Sequence, residues 1–190
     1  MKKRTLVALA LGLAVATGAQ ADRALKFRAH LDGFNAAGQP VATNATGQAR
    51  FEVIDGGTAV RYSVKVAGIE NMFMAHIHVA PAPVAVTDPA GPIAYWFAPS
   101  TPPAAPGAGV SVAERIDGDL ASGLIYSDQQ LVGVLAPDPE NPDGTGIRGL
   151  INAMMEGRAS VVVHTNDFDP TTPPGVAGDS PPGEIRGTIE

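Results

Sequence analysis

Two histidines one residue apart, His76 and His78, lie in the most apolar run of this chain, Met72-Phe-Met-Ala-His-Ile-His-Val-Ala80. Successive side chains of a β-strand point to opposite faces, so His76 and His78 project on one side while Ile77 points to the other. Their ring nitrogens can therefore approach a common point, as two ligands of one metal ion must. A third histidine, His164, falls in a second strand-like run, Val161-Val-Val-His-Thr165, and the whole chain holds only four histidines. Three imidazoles on neighbouring strands suit copper or zinc, with Zn–N bonds of about 2.0–2.1 Å. The plainer alternative is that each ring is half-buried and hydrogen-bonded, holding the strands in register. His30 is a candidate fourth imidazole. Met74 shares a strand face with His76 and is the one methionine placed to act as a soft donor, whereas Met72, Met154 and Met155 read as core fillers.

The elements that must position these rings are almost all strands. Leu25, Phe27, Ala29 and Leu31 alternate with Lys26, Arg28 and His30, the pattern of a half-buried strand. Phe51 and Val53, then Val60, Tyr62, Val64 and Val66, alternate in the same way around Asp55-Gly56-Gly57, which reads as a hairpin turn. Further strands are expected at 73–80, 92–97, 110–117, 159–165 and 184–189. Ile147, Leu150, Ile151, Met154 and Met155 recur at three-to-four spacing before Gly157, predicting a helix over 147–156. A shorter helical turn is expected from Ser127 to Val132, with Ser127 as its N-cap. Of the 17 prolines, eight fall between Pro81 and Pro106 and five between Pro170 and Pro182. Proline cannot donate to a strand ladder, so these stretches are loops or sheet edges. Short strands joined by proline- and glycine-rich connections predict an all-β fold, an antiparallel β-sandwich of Greek-key, immunoglobulin-like or superoxide-dismutase-like form.

The N-terminus carries a different signal. Lys2-Lys3-Arg4, an apolar stretch from Leu6 to Ala16, and Ala19-Gln20-Ala21 have the layout of a secretory signal peptide. Residues 1–21 are thus expected to be removed before Asp22, leaving a domain over 22–190 in the periplasm or outside the cell. No later run approaches the roughly 20 apolar residues of a spanning helix. Cleavage takes three basic residues and no acidic ones, so the net charge goes from −6 to −9. That surface argues against nucleic acid or an anionic membrane as partner. The absence of cysteine excludes a disulfide framework, a thiolate metal site and a cysteine nucleophile.

Other chemistry is sparse. Asp138, Glu140 and Asp143, and again Asp167, Asp169 and Asp179, are carboxylates of the kind calcium uses, but their spacing matches no calcium loop and suits ordinary turns. Tyr95-Trp96-Phe97 is the densest aromatic cluster and reads as core. Glu184 and Arg186 alternate with Ile185. They form either a cross-strand ion pair on a solvated face or a pair that orients a histidine ring or a bound anion. No nucleophile elbow, phosphate loop or dinucleotide fingerprint occurs, so no catalytic residues are assigned.

Several segments, in order, resemble the CHRD domain, named for its occurrence in chordin and found in many bacterial secreted proteins. They are Phe27-x-Ala29-x-Leu31-x-Gly33, Pro40-Val41-x-Thr43-x-Ala45-Thr46-Gly47-x-Ala49, and Tyr62-x-Val64 with Gly68. Ala75-His76-Ile77-His78, Gly91-Pro92-Ile93 and Ser122-Gly123-Leu124-Ile125 follow, and Val163-His164-Thr165 and Pro182-Gly183-Glu184-Ile185-Arg186-Gly187 close the series. The connections Pro81 to Ala90 and Asn166 to Ser180 are longer than is usual in that family, and its glutamate ahead of the Pro-Val segment is missing. The resemblance implies a secreted β-sandwich. Three functions fit the sequence. The first is a non-catalytic protein that holds copper or zinc through His76, His78 and His164. The second is a metal-free module contacting another secreted or cell-surface protein. The third is a copper redox protein similar to superoxide dismutase.

Overall fold

Period-two alternation resolves into two four-stranded antiparallel sheets. The computed structural model describes residues 24–81, 90–99, 114–169, 171, 173 and 175–190. In chain order the elements are β1 (Lys26–Leu31), β2 (Thr46–Ile54), β3 (Ala59–Ile69), β4 (Met72–Val79), β5 (Ile93–Ala98), β6 (Ile116–Ile125), α1 (Gly146–Met155), β7 (Ala159–Thr165) and β8 (Ile185–Thr188). One sheet has the order β1-β2-β3-β6 and the other β5-β4-β7-β8. The fold is thus the all-β sandwich that the alternation predicts.

Between the sheets lie Leu31, Phe51, Val60, Val64, Ile77, Ile125, Val161, Val163 and Ile185, all essentially excluded from solvent. Leu150 and Met154 of α1 join the same core. The helix follows the predicted apolar face except at Met155, which is 56% exposed and not a core filler. A 3.6-residue period carries it off the face that Ile147, Leu150, Ile151 and Met154 share. Ser127 caps a short 3-10 turn at Asp128–Gln130 with a reciprocal Ser127–Gln130 arrangement, as its position suggested.

The two sheets are also joined along one side. Arg28 and Glu190 exchange backbone hydrogen bonds of 2.8 and 2.9 Å, and Asp32 and Arg186 do so at 3.1 and 2.9 Å. These four bonds tie β1, an edge of the first sheet, to the β8 edge of the second, so neither offers a free ladder for aggregation.

Two further expectations change. The strand expected over 110–117 is found at Ile116–Ile125, residues 110–113 lying outside the described residues along with the expected signal segment 1–21. Glu184 is not on a solvated face but fully buried, just ahead of β8. Among the described residues no helix is long and apolar enough to cross a membrane.

Candidate metal centre

β4 is buried at all eight positions, which requires that both of its faces be covered. Ala75, Ile77 and Val79 join the core between the sheets, so Met74, His76 and His78 lie on the outer face of the second sheet. β7 pairs with β4 so that Ala75 faces Val163 and Ile77 faces Val161 on the inner side, while Met74 faces His164, His76 faces Val162 and His78 faces Ser160 on the outer. This register brings His164 diagonally beside His76. On the other flank, Trp96 of β5 lies directly opposite His76.

The three predicted rings therefore converge. Ring centroids are 4.8 Å apart for His76 and His164, 5.4 Å for His76 and His78, and 5.8 Å for His78 and His164. One nitrogen from each ring can be chosen so that all three lie within 4.8 Å of one another. The rings are 0%, 7% and 5% exposed for His76, His78 and His164.

Backbone carbonyls fix the ring orientations. His78 Nδ1 lies 2.8 Å from Gly91 O, and His164 Nδ1 lies 2.8 Å from Pro181 O. A carbonyl only accepts, so both Nδ1 atoms carry the proton and donate it, leaving both Nε2 atoms with a lone pair. His76 Nδ1 stands 3.4 Å from His78 Nε2. Two lone pairs repel at that distance unless a proton or a cation lies between them. Nε2 of His76 and Nε2 of His164 are buried without a hydrogen-bond partner among the described residues. A buried polar atom left unpaired costs about 1–3 kcal/mol.

Protonation does not relieve that cost. Burial, reinforced by repulsion from His164 and His78, pushes the pKa of His76 down to about 2. Burial lowers His164 to about 4, opposed by the bond to Pro181 and aided by His78. His76 and His164 are therefore neutral at any physiological pH, the state in which imidazole binds metal. Three imidazoles held tetrahedrally at about 2.0–2.1 Å would place their nitrogens roughly 3.3–3.4 Å apart. The closest pair already has that spacing, and the others need a small inward rotation.

Glu184 does not touch the rings. Its carboxylate accepts from Thr43 Oγ1 at 2.6 Å, Thr165 Oγ1 at 2.8 Å and Gly178 N at 2.8 Å. Thr165 Oγ1 in turn accepts from Ser180 N at 3.0 Å, one residue before the Pro181 carbonyl that orients His164. The acid thus braces the loop that sets a ring. Arg186 lies on β8 opposite Val162, across β7 from His76. His30 is not brought to the cluster. It is on β1 in the other sheet, exposed and 3.4 Å from Asp32. Asp138, Asp167 and Asp169 accept from backbone amides two residues on, and Asp143 pairs with Arg148 at 2.8 Å, all ordinary turn and surface chemistry.

The sequence does not assign three participants to the site, and one of them, Trp96, is expected in the core and is found outside it. Gly91 and Pro181 act through their carbonyls, which no residue-type pattern reveals. Trp96 packs edge-on against His76 with centroids 4.2 Å apart, while its neighbours Tyr95 and Phe97 join the core. Alternation along β5 separates Trp96 from those neighbours, but only the β4–β5 register shows what it meets.

Fold and site together define an antiparallel β-sandwich domain with a buried three-histidine cluster on the outer face of one sheet. The CHRD domain family model matches residues 27–171, most of the chain, and this protein belongs to that family. The match includes all three clustered histidines and ends before Glu184 and Arg186. No curated protein is similar enough to the chain to count as a relative.

Proposed function

We propose that this is an exported CHRD-domain protein that holds one transition-metal ion, copper or zinc, through His76, His78 and His164, as a binding protein and not a catalyst. One observation carries the reading: three buried rings converge, with one nitrogen of each within 4.8 Å of the others, and the His164 Nε2 lone pair has no partner among the described residues. A metal-free hydrogen-bonded cluster can pair His76 Nδ1 with His78 Nε2, but it leaves the His164 Nε2 acceptor unsatisfied in the interior. A cation between the rings takes the His164 Nε2 lone pair and the two lone pairs that otherwise face each other across 3.4 Å, on His76 Nδ1 and His78 Nε2. The carbonyls of Gly91 and Pro181 complete the arrangement usual for metal-bound histidine, in which the second ring nitrogen donates to the protein and fixes the tautomer.

Export rests on Lys2-Lys3-Arg4, the Leu6–Ala16 stretch and Ala19-Gln20-Ala21. Intact-mass measurement of exported protein should give a chain lacking residues 1–21. The metal is tested by elemental analysis of that material and by thermal unfolding with and without added Cu(II) or Zn(II). One ion per chain and a raised midpoint are expected, by mass action on the folded state. His78→Ala should abolish the metal-dependent shift and leave the metal-free fold intact. A parent with no metal-dependent shift, together with a His78→Ala variant that fails to fold, would assign the rings to structure instead.

A further inference from the structure

We propose that the ion is monovalent copper, with the Met74 thioether as a fourth donor beside the three imidazoles. This deepens the metal-binding reading above and depends on it. Every donor the fold brings to the cluster is neutral. Among the described residues, no carboxylate joins the three histidines. Glu184, the acid nearest His164 along β7–β8, has its oxygens committed to Thr43, Thr165 and Gly178. The chain has no cysteine to supply a thiolate. A divalent ion would therefore keep both charges in a site whose rings are at most 7% exposed. Born desolvation grows with the square of the charge, so a monovalent ion bears about a quarter of that penalty.

Coordination points the same way. Structural zinc takes four protein ligands, and three-ligand zinc sites keep an open position for water. Neither suits three enclosed imidazoles. Copper(I) is selected by soft thioethers. Met74 is 6% exposed, shares the outer face with His76, and sits directly opposite His164 on β7. Residues opposite one another on adjacent strands have Cβ atoms about 4.5–5.5 Å apart, which puts the Met74 thioether within reach of an ion held by His164. The other neighbours of the rings include Trp96, Phe73, Val162, Ser160 and Arg186, none of which offers a soft donor.

The test is an anaerobic competition titration of the purified protein, with a chromophoric Cu(I) chelator in one arm and a Zn(II) chelator in the other. Trp96, the only tryptophan, reports occupancy through its fluorescence, since its ring lies 4.2 Å from that of His76. We expect one Cu(I) per chain, bound about 100-fold or more tightly than Zn(II), because ligand softness and the smaller desolvation penalty act in the same direction here. X-ray absorption at the copper edge should show one sulfur scatterer among nitrogens. Met74→Leu, which keeps size and apolarity, should remove that scatterer and weaken Cu(I) about tenfold or more while leaving Zn(II) affinity unchanged. Zinc bound as tightly as Cu(I), or a copper spectrum without sulfur in the parent protein, would overturn this inference and leave the metal-binding reading standing. Failure of both ions to bind would overturn the reading itself.

Discussion

The outer faces of the two sheets are built by the same alternation and used in opposite ways. On the β1-β2-β3-β6 sheet the outward residues are charged and solvated. Lys26 and Arg61 flank Glu52 at 3.3 and 2.6 Å, and Lys65 meets Asp119 at 3.0 Å. Water screens these pairs, so they add little to stability. On the β5-β4-β7-β8 sheet the outward residues include Trp96, Met74, His76, His78, Ser160, Val162, His164 and one charged side chain, Arg186, and the histidine rings are buried. A polar group is tolerated in such a place only when its hydrogen-bonding capacity is met. One face ends in water, and the other encloses unsatisfied nitrogen.

His76→Leu should produce the largest effect and the sharpest separation of the two faces. Metal retention should fall about 100-fold or more, and the metal-dependent thermal shift should vanish. The metal-free protein should be as stable as the parent or more so, because the change removes a buried nitrogen with no partner. A urea midpoint that drops sharply in the metal-free variant would instead mark His76 as a structural residue.

Acid comes next. His76 and His164 have pKa values in the folded protein far below the unfolded reference near 6.5. As pH falls below 6.5 the unfolded chain takes up protons that the folded chain refuses, so stability decreases. The loss is about 1.4 kcal/mol per pH unit for each histidine, continuing to about pH 4 for His164 and lower for His76. Above pH 6.5 the contribution is fully present. Urea unfolding of metal-free protein between pH 7 and 4.5 measures it, and a flat profile would contradict the burial of neutral rings.

A smaller effect is expected at Gly91, which has φ of 70° and holds the carbonyl that orients His78. Gly91→Ala forces a side chain into the left-handed region and against the backbone of Val79 and Ala80. Strain of this kind costs roughly 1–3 kcal/mol, and displacement of the carbonyl should also weaken metal binding. Asp119→Asn, on the solvated face, should leave both the urea midpoint and metal affinity unchanged.

Much of this arrangement was legible in the sequence, for local reasons. Spacing alone puts His76 and His78 on one face, alternation draws β1 and the β2–β3 hairpin, and an unbroken apolar run draws β7. The apolar period of 147–156 and the Ser127 cap are equally local. What escaped depends on pairing between distant segments. β6 has only Ile125 fully buried and contains Gly118 and Gly123, so it shows no apolar alternation. Glu184 looks like a surface acid because one of its partners, Thr43, is 141 residues away. Trp96 meets His76 only through the register of β5 against β4, and the Gly91 and Pro181 carbonyls carry no residue-type signature at all.

The central claim is that His76, His78 and His164 converge to hold one ion. Anomalous diffraction from crystals of protein loaded with copper or zinc, recorded at the absorption edge of each metal, addresses it most directly. The account predicts one anomalous peak between the three rings, about 2.0–2.2 Å from a nitrogen of each. Three rings hydrogen-bonded to one another, with no anomalous peak between them from protein that has been offered metal, would contradict it.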